Sequence, residues 1–136
     1  MTDDLAARRE ALIRGAYERW NAGERGALAD DITDDFVLDS TLTGQTFHGR
    51  QGFAEWMDEI DSNFDAWQLH LGELRRVAPD RYVALGSVHL RGRGSGVEFD
   101  QPVGWVFEFE GEKVARMQTL PSHEAAIDAA ASRWSS

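Results

Sequence analysis

Four histidines and an acid–hydroxyl pair carry most of the chemistry that this 136-residue sequence offers. His48, His70, His89 and His123 show neither HxH nor HExxH spacing, so no metal site is expected. His89 is the leading candidate for proton transfer, because an imidazole titrates near neutrality and strand alternation groups it with Val83, Leu85 and Ser87. His70 shares its parity with Gln68 and is expected to look outward, while His48 and His123 fall near element ends. Asp39 and Ser40 are neighbours in a short strand, so one faces each side. An inward Asp39 among indoles would have its pKa raised toward the range of a general base, whereas an inward Ser40 leaves the interior without that carboxylate. Four of the five tryptophans, Trp20, Trp56, Trp67 and Trp105, fall on inward faces. They form either a packed core or the walls of an apolar cavity of a few hundred Å³, in which Tyr17, Ser87, Gln101, Met117 and Thr119 supply polar and soft groups.

The elements that must hold these residues follow from periodicity. Leu5, Leu12, Ile13, Ala16, Tyr17 and Trp20 form a helical stripe that begins near Thr2 and stops at Gly23. Residues 25–32 suggest a short second helix, 36–40 a strand opening into a polar loop with Gly44, and Phe53, Trp56, Met57, Ile60 and Phe64 the stripe of a third helix after Gly49. From Trp67 the period falls to two. A bulge is expected at Gly72, and turns at Ala78-Pro79-Asp80, Gly92 to Gly96 and Gly111-Glu112 separate strands over 82–91, 97–110 and 113–120. The glycine loop at 92–96 joins two strands with no helix behind it, which marks a hairpin rather than a phosphate cradle. Ser122 caps an alanine-rich closing helix that reaches about Trp134, where the indole seals the structure or a partner.

Helices first and a stranded meander afterwards imply an α+β domain, one core over residues 1–136, with helices on one face of a curved antiparallel sheet. The 24 acidic against 14 basic residues give a net charge of −10, which disfavours nucleic acid and anionic lipid as partners. No apolar run reaches the roughly 20 residues of a spanning helix. The acidic, uncharacteristic start for a leader and the absence of cysteine point to the cytoplasm and exclude disulfides and thiolate chemistry.

Three stretches carry a likeness to a known family: Trp20-Asn21-Ala22-Gly23-Glu24, Thr33-Asp34-Asp35-Phe36-Val37-Leu38-Asp39, and Phe47-His48-Gly49-Arg50-Gln51-Gly52-Phe53. With Arg91 to Glu98, Trp105-Val106-Phe107-Glu108-Phe109 and the final helix, they make the chain resemble SnoaL-like proteins of the NTF2-like superfamily over about residues 8–131. The resemblance implies a cone: a curved antiparallel sheet, three N-terminal helices and a C-terminal helix. Its register puts Val83, Leu85, Ser87 and His89 on the cavity side. In ketosteroid isomerases of this fold a helix-one tyrosine serves as oxyanion donor; here its position falls on Ala16, one residue from Tyr17, so the donor is expected to be missing. Their catalytic Asp falls on Ser40 or Asp39, and their protonated Asp on Trp105, which cannot imitate a carboxylic acid. The last strand lacks the acid that epoxide hydrolases and SnoaL-type cyclases use. The resemblance therefore implies a pocket for a hydrophobic small molecule without cofactor or metal. It leaves open a cofactor-free isomerase, cyclase or dehydratase using His89, Asp39 and Ser40, a non-catalytic binder, and a homodimeric assembly module whose contact would use Val106, Val114, Arg116 and Gln118.

Overall fold

A computed structural model describes residues 2–24, 29–40 and 44–131. Helix α1 spans Thr2–Asn21 and buries Ile13, Tyr17 and Trp20, the expected stripe. It ends where Gly23 takes φ +84°, with the Glu24 N–H donating to the Arg19 carbonyl at 2.8 Å and the Gly23 N–H to Trp20 at 3.1 Å, a Schellman close that a Cβ would hinder. Helix α2 spans Gly49–Asn63 and buries Phe53 and Ile60. Of the expected helix over 25–32, Ala29 to Asp31 form one tight helical turn, and 25–28 lie outside the described residues.

Six strands follow one another as β1 (Ile32–Ser40), β2 (Gln45–His48), β3 (Phe64–Ala78), β4 (Arg81–Gly92), β5 (Glu98–Glu110) and β6 (Lys113–Leu120), with helix α3 at His123–Ala131. They form a single sheet in the order β2-β1-β6-β5-β4-β3. The sheet is mixed rather than antiparallel: β1 runs parallel to β6, which sets Leu38 beside Met117 and Ser40 beside Thr119. Strand β2 was not expected, because its four residues are exposed or half-buried and lack an alternating apolar signal. The bulge at Gly72 is present as a register shift between Leu71 and Glu73. Opposite it, Gly86 lets the His70 carbonyl approach its backbone so closely that no Cβ would fit.

The two faces of the sheet are covered by different helices. The inner face, with α1 and α2 over it, carries Phe36, Leu38, Tyr82, Ala84, Val88 and Trp105. The outer face carries Val83, Leu85, Val106 and Leu120, packed against Ala126 and Ala130 of α3. The expectation of helices on one face only is thus corrected. Ser122 caps α3 as expected, its hydroxyl accepting from the Ala125 N–H at 3.1 Å; Trp134 lies outside the described residues. Val106, expected at a partner contact, is covered by α3, and Val114 belongs to the inner core.

Arginines fasten the ends. Arg9, 3 % exposed, donates to the Gly111 carbonyl at 2.8 Å, to Pro79 at 3.2 Å and to Asp80 at 2.9 Å, joining α1 to the β3–β4 and β5–β6 turns. At the opposite end Arg93, in the β4–β5 hairpin, donates to the carbonyls of Asp61 at 2.7 Å and Phe64 at 3.4 Å. No helix among the described residues is long and apolar enough to cross a membrane.

Candidate functional site

Between α1, α2 and the inner sheet face lies a cavity of about 140 Å³. Tyr17 and Trp20 reach it from α1, Trp56, Glu59 and Asn63 from α2, Phe64 and Trp67 from β3, Ser40 from β1, Trp105 from β5, and Met117 and Thr119 from β6. The indoles are fixed by their neighbours. Trp20 donates from Nε1 to the Trp67 carbonyl at 2.8 Å and lies 5.4 Å from the Trp56 ring, and Trp105 meets Tyr17 edge-on at 5.1 Å.

The polar groups inside are few. The Tyr17 hydroxyl is buried with no hydrogen-bond partner among the described residues, and burial pushes its pKa well above the usual phenol range. Tyr17, one residue from the aligned position Ala16 where the donor is expected to be missing, lines the cavity with its phenol ring, as Ala16 does with its methyl. Thr119 Oγ1 donates to Ser40 Oγ at 3.4 Å across the parallel β1–β6 pair. Asp31, Glu59 and Asn63 also line the space. Asp31 accepts from Arg19 at 3.1 Å, and the Gln45 amide, with its nitrogen turned toward Glu59, donates to that carboxylate at 2.9 and 3.1 Å.

Eight of the expected site residues thus converge: Tyr17, Trp20, Ser40, Trp56, Trp67, Trp105, Met117 and Thr119. Asp39, Ser87, His89 and Gln101 do not line the cavity. Asp39 takes the outer face, where it accepts from Arg116 at 2.8 Å and from the Thr46 hydroxyl at 3.0 Å. Ser87 and His89 also lie outside, bordering a surface groove with Gln68, His70 and Asp100. Their expected cavity-side placement is inverted because Val83 and Leu85, the apolar residues of their parity, are buried beneath α3 instead. Gln101 shares the inner parity of Val103 and Trp105 and pairs with Val88, which lines the cavity, but is not itself one of the lining residues. His89 Nδ1 and Nε2 meet Asp100 at 2.7 Å and Glu98 at 3.1 Å, and these two hydrogen bonds raise its pKa above the ordinary imidazole value. His70 is exposed, His48 sits at the N-cap of α2, and His123 Nε2 bonds the Gly86 carbonyl at 2.7 Å.

Sequence reasoning missed Glu59 and Asn63. Their signal was available: with Trp56 and Ile60 they share one helical face, three, four and seven residues apart, but an apolar stripe leaves polar residues out. Asp31, in a tight turn before β1, has no periodic signal at all.

A profile of the SnoaL-like domain matches residues 13–117. The chain belongs to the SnoaL-like domain family. Solved structures agree on the fold of this SnoaL-like domain. An NTF2-like protein of unknown function from Burkholderia pseudomallei K96243 superposes with a TM-score of 0.78 at 14% identity, covering 92% of this chain and 98% of that one. A hypothetical protein with a ketosteroid isomerase-like fold from Catenulispora acidiphila DSM 44928, solved with trimethylamine, gives 0.75 at 16% identity over 92% and 97% of the two chains. A candidate polyketide cyclase from Xanthomonas campestris pv. campestris gives 0.75 at 21% identity over 93% and 98%. No curated protein sequence matches the SnoaL-like domain described here.

Proposed function

We propose that this SnoaL-like protein binds a small, largely hydrophobic molecule in its indole-walled cavity, with the Tyr17 hydroxyl donating to one polar atom of that molecule. The carrying observation is the buried Tyr17 hydroxyl, which has no hydrogen-bond partner among the described residues: leaving such a group unsatisfied costs about 1–3 kcal/mol, and a ligand acceptor offsets that cost. At about 140 Å³ the space matches a single ring better than a polycyclic skeleton, since an apolar cavity of roughly 150 Å³ takes one benzene. It is smaller than the few hundred Å³ expected from the sequence, because the four indoles occupy part of the cone.

A second reading, a cofactor-free isomerase, cyclase or dehydratase, is favoured by one observation: Glu59 and Tyr17 line the same cavity, so an acidic side chain and a phenol border one space. Asp39 and His89, turned to the outer face, take no part in this reading. Calorimetric titration with cyclohexanone tests both. Saturable binding, weakened about five-fold in Tyr17→Phe, is expected. No heat and no change in tryptophan emission at millimolar ketone would sink the binding reading. The same mixture in D₂O separates the two: exchange of the ketone's α-protons above the buffer rate, abolished in Glu59→Gln, identifies an enzyme.

Cytoplasmic residence and a homodimer belong to this proposal as well. The face for self-association is the part of the outer sheet beyond α3, around Gln68, His70 and Ser87.

A further inference from the structure

The charged side chains that line the cavity are, among the described residues, all of one sign. Among the described residues its lining includes two carboxylates, Asp31 and Glu59, and no lysine, arginine or histidine. Asp31 is answered by Arg19 at 3.1 Å. Glu59 is answered by an amide alone: the Gln45 nitrogen neutralises none of its charge, and no basic side chain pairs with it among the described residues. Glu59 is half-buried and lines an apolar space, and a charge at such a border acts more strongly than one in open water.

The walls add to this potential. The rings of Trp20, Trp56, Trp67 and Trp105 all border the space, and an indole face is the strongest of the aromatic sites for a cation. An anionic ligand would meet aromatic walls and the Glu59 carboxylate, with no basic side chain lining the space among the described residues. A neutral hydrocarbon would fill the volume but leave the charge of Glu59 without a cationic partner among the described residues. A small alkylammonium group satisfies both features, because its methyl surface packs against indoles while its spread positive charge faces Glu59. The volume of about 140 Å³ suits a head of that size. The Tyr17 hydroxyl then asks for an oxygen on the same molecule.

We propose that the cavity selects a small organic cation, an alkylammonium carrying a hydroxyl or carbonyl oxygen, with its charge held by Glu59 and the indole faces and its oxygen by Tyr17. The inference rests on the reading of the cavity as a ligand site and adds the sign of the ligand's charge. The whole molecule supports it at longer range, since a net charge of −10 raises the local concentration of cations.

Choline and its neutral carbon isostere 3,3-dimethylbutan-1-ol have nearly the same shape and the same hydroxyl, so calorimetric titration of the full chain with each isolates the charge. Choline is expected to bind roughly ten-fold tighter than the alcohol. Glu59→Gln is expected to remove most of that difference by weakening choline alone, while unchanged binding of the alcohol reports an intact cavity. Equal affinity for the two ligands, a preference for the alcohol, or a Glu59→Gln loss shared equally by both overturns the assignment of a cation and leaves the ligand site standing. Binding of neither compound, with indole emission unmoved, overturns the ligand site itself.

Discussion

On the outer face of β4, His89 holds Asp100 through Nδ1 and Glu98 through Nε2, and both bonds favour the imidazolium. The hydrogen bonds to Asp100 and then Glu98 outweigh the opposing desolvation, so its pKa in the folded chain stands above the unfolded value near 6.5. Protonation and folding are therefore linked. The contribution of His89 is whole below the unfolded value and is lost as pH rises through the folded one. Melting temperatures of the wild type and His89→Gln, compared from pH 5.5 to 9, are expected to differ most at the acid end and to converge toward the alkaline end. A gap constant across that range means that the ring acts through packing instead. Whether such a side chain is a catalyst or a strand-to-strand tie could not be read from its type. The difference depended on which face of β4 is inside, and that in turn on a helix some forty residues later.

Strand β4 shows why alternation gave the grouping but inverted the face. Tyr82, Val83, Ala84 and Leu85 are all buried, so this stretch has no polar side to set the direction. Val83 and Leu85 were read with His89 as cavity residues, yet they meet Ala126 and Ala130. The strongest unread signal was Gly104. A Cβ there would overlap the Ala126 side chain and crowd the Ser122 carbonyl, so a glycine in the middle of β5 marks where α3 lies directly on the sheet. Gly104→Ala is expected to destabilise the fold by about 1–3 kcal/mol in urea denaturation, and Ala126→Gly in the same chain to restore part of the loss. Strictly additive losses in the double variant would show that the two positions do not meet. The other elements were legible because their signals were redundant. Helix α1 has both an apolar stripe and a glycine stop, and the β3 bulge has Gly72 in a strand of clear alternation. Strand β2 and the parallel β1–β6 pairing were not legible, since four exposed residues and a contact between distant segments leave no local pattern.

At the scale of the molecule, charge is distributed so that cations are spent on architecture and anions remain in excess. Thirteen of the fourteen basic residues are arginine, and their forked donors reach backbone carbonyls as well as acids. Arg9 and Arg93 fasten opposite ends of the sheet to the helices, and Arg81 joins Glu108 at 3.1 Å to the Ala130 carbonyl at 3.0 Å, tying α3 down. The carbonyl contacts are short-range and partly sheltered, so added salt weakens them little. The surplus of ten acids is spread over the surface, where its mutual repulsion opposes compaction and is screened readily. Two opposite salt responses therefore compete, and the unscreened surplus is the larger because each exposed ion pair contributes only about 0–1 kcal/mol. Raising sodium chloride from 10 to 200 mM is expected to increase the melting temperature by a few degrees, an effect on the order of 1 kcal/mol. The same salt should weaken choline more than its neutral isostere, because screening reduces the long-range attraction of a cation to an acidic molecule. A melting temperature that falls with salt would mean that the arginine–carboxylate pairs dominate the balance, and that the fold depends on charge pairing more than its two apolar layers imply.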